Sequence, residues 1–254
     1  MTITFEPLPC PDSPLRRLDP RWKLAALLLG TALVAAVRTL PPAGVGLLAA
    51  LVLAAVARLP WRWYWGRVAA VGAFVALFTV PLPFLLDGPG PVWSVGPLAA
   101  SWYGLSVALF VAAKALTVLT LMLVLLASAP LDDTLKAAHA LRVPGLLVQL
   151  AVLTYRYIFV LAGELATLRV ALRVRGYRNR ANGHSYRTVG HVAGALLVRG
   201  YERAERVGQA MRCRGFAGRF HSLTRFRTTA ADVAAFAFIV GCGGALLAWD
   251  VLRR

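Results

Sequence analysis

Apolar residues along this chain fall into two patterns. The first is the long uninterrupted run: residues 39–57, 68–86, 88–113, 115–131 and 233–249 contain no Asp, Glu, Lys or Arg. A helix crossing the roughly 30 Å of bilayer hydrocarbon needs about 20 mainly apolar residues, so these runs predict membrane spans. Residues 24–37 form a shorter run bounded by Lys23 and Arg38, whose long stems can carry their charges out to the headgroups. Together the runs predict five spans, at about 24–38, 42–58, 67–86, 103–129 and 231–249. The first run starts only at Leu24, after a proline-rich lead from Pro7 to Pro20 with no small-residue cleavage site, which argues against a cleaved signal peptide.

The second pattern is periodic. Leu153, Tyr157, Leu161, Leu165, Leu168 and Leu172 recur at spacings of three and four, as do Leu197, Tyr201, Ala204, Gly208 and Met211. Such spacing puts each set on one face of a helix and predicts two long amphipathic helices. Ser128, or Pro130 to Asp133, opens a short helix ending near Leu141, and Pro144 then stands at an N1-like position. Asn179 to Ser185, with Asn182 and Gly183 inside, is read as the turn between the long helices.

Composition agrees with lipid as part of the solvent. The 254 residues are 59% hydrophobic and 15% charged, with a mean hydropathy of +0.66. Soluble domains carry about 25% charged residues, and a disordered basic tail needs low hydrophobicity; both classes are excluded. The 28 Lys and Arg against 11 Asp and Glu leave a net +17, and short loops rich in Lys and Arg stay in the cytoplasm. Arg16, Arg17, Arg21 and Lys23 in the lead, and Arg58, Arg62 and Arg67 between the second and third spans, mark that side. Asp87 to Trp102 carries no Lys or Arg and is expected outside as an interfacial loop. Residues 130–227 hold 17 of the 28 basic residues against five acids, a net +12 in one block, expected in the cytoplasm. An odd number of spans puts Arg253 and Arg254 outside, against the same rule.

The expected fold is therefore all-α: a polytopic cell-membrane protein with about five transmembrane helices and a cytoplasmic hairpin of long amphipathic helices. Three regions follow: 1–129 with four spans, 130–227 with the hairpin, and 228–254 with the last span.

Within the hairpin the sequence nearly repeats. Ala171-Leu172-Arg173-Val174-Arg175-Gly176-Tyr177 matches Ala210-Met211-Arg212-Cys213-Arg214-Gly215-Phe216. Each copy predicts a helix that ends at a glycine able to take positive φ, with arginines in the last turn complementing the helix dipole. One copy alone would read as a solvated terminus. Two copies at corresponding ends point to planar guanidinium groups held for bidentate capture of partner carboxylates. Arg199-Gly200-Tyr201 lies inside the second long helix and is read as part of its face.

These residues carry a resemblance. The chain looks like the transmembrane T component of energy-coupling-factor (ECF) transporters, the EcfT family, and within it the CbiQ type. The likeness runs through Leu18-Asp19-Pro20-Arg21-Trp22-Lys23-Leu24, Ala129-Pro130-Leu131-Asp132-Asp133, Leu153-Thr154-Tyr155-Arg156-Tyr157 and Gly200-Tyr201-Glu202-Arg203-Ala204-Glu205-Arg206-Val207, and ends in the second Arg-Gly copy. It implies that the hairpin helices are coupling helices whose tips dock into grooves on two ABC-type ATPase subunits. By residue, that role falls on Arg175 with Gly176 and on Arg214 with Gly215, supported by Arg173, Arg212, Tyr177 and Phe216. Val174 and Cys213 stand where the family commonly has alanine. The resemblance further implies a non-catalytic subunit, ATP and Mg held by the partner ATPases, and a substrate-binding membrane subunit (S component, CbiM- or NikM-like) for cobalt or nickel. A T component for a vitamin importer is the alternative.

The chain's own chemistry points the same way. It has no Gly-x-x-x-x-Gly-Lys-Ser/Thr phosphate loop. His139, His184, His191 and His221 lack metal-ligand spacing, and Cys10, Cys213 and Cys242 suggest neither a disulfide framework nor a zinc site. No catalytic or metal residue is therefore expected. Glu164 is expected to form an ion pair, with Arg156 or a partner subunit. Lys114, inside the fourth span, is expected either to snorkel or to face the substrate subunit. Two rivals are a membrane enzyme acting on anionic lipids, with Asp132 and Asp133 as its candidate carboxylates, and a basic protein binding nucleic acid or anionic lipid surfaces. Glu202 and Glu205 interrupt the basic face, so no nucleic-acid partner is expected; membrane lipid is.

Overall fold

The structure, a computed structural model, describes residues 13, 15, 18–86, 92–95, 98–141, 143–216 and 228–253, with the side chains of 92–95 and 98–100 left out. Cys10, Arg16, Arg17, Asp87, His221 and Arg254, which entered the sequence reading, lie outside the described residues. The helices are α1 (Pro20–Ala36), α2 (Leu40–Val56), α3 (Trp61–Thr79), α4 (Leu82–Leu85), α5 (Trp102–Ser128), α6 (Leu131–Ala140), α7 (Gly145–Val174), α8 (Gly183–Cys213) and α9 (Ala230–Leu252). Between α4 and α5, β1 (Val92–Val95) pairs antiparallel with β2 (Leu98–Ser101), Val92 opposite Ser101 and Val95 opposite Leu98. The expected external loop thus contains a short hairpin. The chain divides into two compact units, one formed by Leu8–Ala137 with Arg225–Arg254 and the other containing Ala138–Thr224.

In the first unit α5 is central, packing against α1, α2, α3 and α4, while α1 also lies along α9. Small residues make these contacts close. The buried positions of α2 are Pro42, Ala43, Gly46, Ala50 and Ala54, a stripe without bulk, which in lipid lets backbones approach where hydrophobicity alone gives no drive. A Cβ on Gly243 of α9 would stand 3.1 Å from the Leu33 side chain of α1, and one on Gly30 would stand 3.2 Å from Ile239.

Both ends of α1 are fastened by polar groups from its neighbours. Asp19 caps α1, its side chain accepting from the Arg21 N–H at 3.0 Å, with Pro20 at N1. The Asp19 N–H in turn donates to Asp232 of α9 at 2.8 Å, and the same carboxylate closes a capping box with Thr229. Buried Lys23 donates to the Ser128 carbonyl at the end of α5, at 3.0 Å. At the other end, buried Asp250 accepts from the N–H groups of Arg38 and Thr39, at 3.3 and 2.8 Å. Lys114 of α5 donates to the Val37 carbonyl at 3.1 Å, so the intramembrane cation of the sequence reading seals a helix end.

These contacts set direction. Asp232 meets the start of α1 and Asp250 meets its end, so α1 and α9 run parallel. Eighteen residues separate the two aspartates, or about 27 Å of helix, close to the thickness of bilayer hydrocarbon. If α1 begins in the cytoplasm, α9 does too, and Arg253, stacked on Trp249 at 4.9 Å, lies on the far side. The geometry therefore favours the odd span count over the charge rule.

Span lengths differ from expectation at two places. Among the described residues four helical stretches are long and apolar enough to cross a membrane: Trp61–Leu85, Trp102–Ser128, Gly145–Val174 and Ala230–Leu252. Helices α1 and α2 have 17 residues each, while α7 qualifies although its apolar spacing predicts an amphipathic hairpin helix. Arg156, Glu164, Arg169 and Arg173 break its charge-free runs, yet the charges are spaced widely enough that its first half is almost wholly apolar.

Replacing Asp250 with alanine should strand the part-buried N–H groups of Arg38 and Thr39 at the α1–α2 turn, a loss of about 1 kcal/mol per unsatisfied group. The expected outcome is a lowered Tm in detergent for Asp250→Ala, with a smaller drop for Asp250→Asn, which keeps one acceptor.

Candidate functional site

In the second unit, α7 and α8 meet near Leu161 and Gly200, where an added Cβ at Gly200 would lie 3.9 Å from the Leu161 side chain. Beside this point the half-buried Glu164 pairs with Arg203. Glu164 thus has its ion pair, but across the hairpin with Arg203 and not along its own helix with Arg156. A groove of about 430 Å³ opens from the crossing toward Leu150 of α7 and Met211 of α8, with Leu153, Tyr157, Ala204 and Gly208 on its walls. Part of each sequence stripe therefore does face the other helix. The rest does not: Leu197 and Tyr201 are 74% and 73% exposed.

The two Arg-Gly copies end these helices in the same way. In α7 the Gly176 N–H donates to the Arg173 carbonyl at 3.0 Å and the Tyr177 N–H reaches the Leu172 carbonyl at 3.0 Å. In α8 the Gly215 N–H donates to Arg212 at 3.0 Å and the Phe216 N–H to Met211 at 3.1 Å. This is the Schellman arrangement, which needs a left-handed residue at the first position past the helix. Gly176 and Gly215 supply it, each at φ 77°, the positive-φ glycines among the described residues. A Cβ at either would meet no neighbour within 4 Å, so backbone conformation, not crowding, demands glycine there.

Arg173, Arg175, Arg212 and Arg214 are exposed, while Tyr177 and Phe216 are half-buried. Among the described residues no carboxylate pairs with any of the four arginines. The aromatic residues turn back onto the fold. The Tyr177 hydroxyl lies 3.5 Å from the Ser185 carbonyl, and Ser185, buried in the first turn of α8, also accepts from the Arg180 N–H and donates its own N–H to the cap Asn182. Tyr177 thus ties the first tip to the start of α8.

A register links tips and crossing. The repeat copies are offset by 39 residues, and so are Leu161 with Gly200 and Glu164 with Arg203. Arg175 and Arg214 consequently each stand fourteen residues beyond the crossing, about 21 Å along their helices. Gly200, which the Arg199-Gly200-Tyr201 triplet places on the helix face, and Arg203 are the α8 positions that meet α7 at the crossing, and both share the offset of the repeat. Among the described residues no three His, Cys, Asp or Glu side chains form a metal-binding group. Asp132 and Asp133 lie 2.9 and 3.6 Å from Lys136, whose ammonium the Asp132 hydrogen bond holds above the usual lysine range.

Apolar helices with membrane-spanning lengths, buried charged groups held at helix ends and a basic helical hairpin define a multi-pass membrane protein. Residues 11–224 match the family model CbiQ, described as cobalt transport protein. The chain belongs to that family of membrane transport proteins. It is 32% identical over 246 residues to the cobalt transport protein CbiQ of Rhodobacter capsulatus, covering 91% of this chain and 94% of that one. It is 29% identical to the CbiQ protein of Salmonella typhimurium, covering 79% and 95%. The nickel permease LarQ of Lactiplantibacillus plantarum is 28% identical, over 88% of this chain and 75% of its own.

Replacing Gly176 or Gly215 with alanine forces a Cβ into the left-handed region, at about 1–2 kcal/mol. Hydrogen exchange at the Tyr177 amide in Gly176→Ala, and at the Phe216 amide in Gly215→Ala, should accelerate by about 5- to 30-fold. Exchange elsewhere in each helix should be unchanged.

Proposed function

We propose that this chain is the T component of an energy-coupling-factor importer for cobalt or nickel ions. On this reading Arg175 and Arg214 dock into grooves on two ABC-type ATPase subunits, which bind the ATP and Mg. The hairpin carries their closure to the membrane helices, and an S component reorients with its ion. The observation that supports the coupling role best is the pair of identical Schellman ends, each presenting exposed arginines without an internal carboxylate at equal distance from one crossing.

A helix end fixed by two backbone hydrogen bonds and a positive-φ glycine holds the backbone of its last-turn arginines at a defined place. A planar guanidinium pairs bidentately with a carboxylate, which sets register as well as strength. Two such ends with arms of the same length match a pair of like subunits. The Glu164–Arg203 pair at the crossing keeps the arms joined as load is applied. Cobalt or nickel follows from membership of a family described as cobalt transport protein and from likeness to a nickel permease; in a vitamin importer the same hairpin would serve another S component. Against a lipid-directed enzyme, both candidate carboxylates are engaged by Lys136.

Arg175→Ala or Arg214→Ala would leave a partner carboxylate unpaired, a loss of about 2–5 kcal/mol where that group is desolvated. Each variant should therefore weaken copurification of the ATPase subunits by at least about 30-fold in affinity, and the double variant should abolish radiolabelled cobalt and nickel uptake. Normal uptake by the double variant would overturn the assignment.

A further inference from the structure

The opening of α3 reads Trp61-Arg62-Trp63-Tyr64-Trp65-Gly66-Arg67, preceded by Arg58 in the turn from α2. Only Tyr64 of this stretch is buried, its hydroxyl 3.1 Å from Thr120 of α5. The others ring the helix: Trp61 is 72% exposed and Trp65 46%, with their rings 5.4 Å apart, and Arg58, Arg62 and Arg67 are all exposed. The Arg67 guanidinium lies 3.8 Å from the centre of the Trp63 ring, a stack that orders the group while its in-plane N–H donors stay free for another acceptor.

Nothing in the surrounding sequence neutralises these charges. Residues 20–86 contain no Asp or Glu, and among the described residues no carboxylate pairs with any of the three arginines. Arg58 takes φ 50°, a left-handed conformation uncommon outside glycine. The wall beyond the girdle is apolar and outward-facing, with Phe74, Leu77 and Phe78 at 62%, 70% and 60% exposure. A cationic and indole-rich ring at the foot of such a wall has the composition of a membrane–water boundary.

We propose that Arg58, Arg62 and Arg67, framed by Trp61 and Trp65, form a binding surface for anionic phospholipid headgroups of the cytoplasmic leaflet. The apolar wall is continuous with the girdle, so the occupant presents acyl chains beside its phosphate. The unpaired arginines then select a net negative headgroup over a zwitterionic one. Each basic residue near an anionic surface favours it by roughly a factor of five. Helix α3 packs inward mainly on α5, and this lipid contact holds its outer side. The inference is independent of the coupling role of Arg175 and Arg214.

The test reconstitutes the full chain in mixed vesicles of phosphatidylcholine and phosphatidylglycerol, with one lipid or the other brominated, and reads quenching of tryptophan fluorescence. Brominated phosphatidylglycerol should quench preferentially. The Arg58→Gln, Arg62→Gln, Arg67→Gln triple variant should lose that preference, whereas the Arg178→Gln, Arg180→Gln, Arg187→Gln triple variant in the hairpin should leave it intact. The single variants Arg58→Gln and Arg62→Gln should each reduce it about fivefold, so the result stands even if the triple variant fails to fold. Equal quenching by both lipids in the native chain would overturn the proposal. So would a preference that survives all the α3 changes, one that falls equally with the hairpin changes, or one abolished by millimolar inorganic phosphate.

Discussion

A helix end inside a bilayer cannot turn to water for its unsatisfied N–H and C=O groups, and this requirement organises the first unit. Helix α1 meets it with groups borrowed from elsewhere: Asp232 and Asp250 from the two ends of α9, Lys114 from within α5. Its own Lys23 returns the service to the end of α5. Each buried charge thereby has a backbone partner, the condition under which a charge at membrane depth is tolerated. The same bonds make α1 and α9 parallel and determine on which side of the bundle the chain finishes.

The second unit uses the complementary solution, in which each helix ends by its own backbone. At Gly176 and Gly215 the left-handed turn returns two N–H groups to the last carbonyls without side-chain help. That frees the adjacent arginines. A tip whose side chains were needed as caps would have less charge to offer a partner, whereas here Arg175 and Arg214 carry theirs outward.

Legibility followed the range of each interaction. The spans were readable because a charge-free run is a local property, and both helix ends were readable because the seven-residue repeat recurs there, whereas the lone triplet Arg199-Gly200-Tyr201 lies inside α8. Partner choice was less accessible. Glu164 pairs with Arg203, 39 residues away, and nothing in the local pattern around Glu164 distinguishes that arginine from Arg156. Lys114 seals the end of α1 across 77 residues, a role visible only once α5 is packed. For α7, counting charges hid the fact that a few well-separated charged residues leave long apolar stretches between them. The strands at Val92 and Leu98 were hidden in a segment whose Gly and Pro content reads as loop.

On the proposed coupling role, Gly200 and the pair beside it would serve as a fulcrum fourteen residues from each of two like ends. Balanced loads applied at both ends would cancel as torque, so the angle between the helices could change while the fulcrum itself stays at rest. A copy of either arm shortened by one helical turn would lose that balance and convert the same load into rotation.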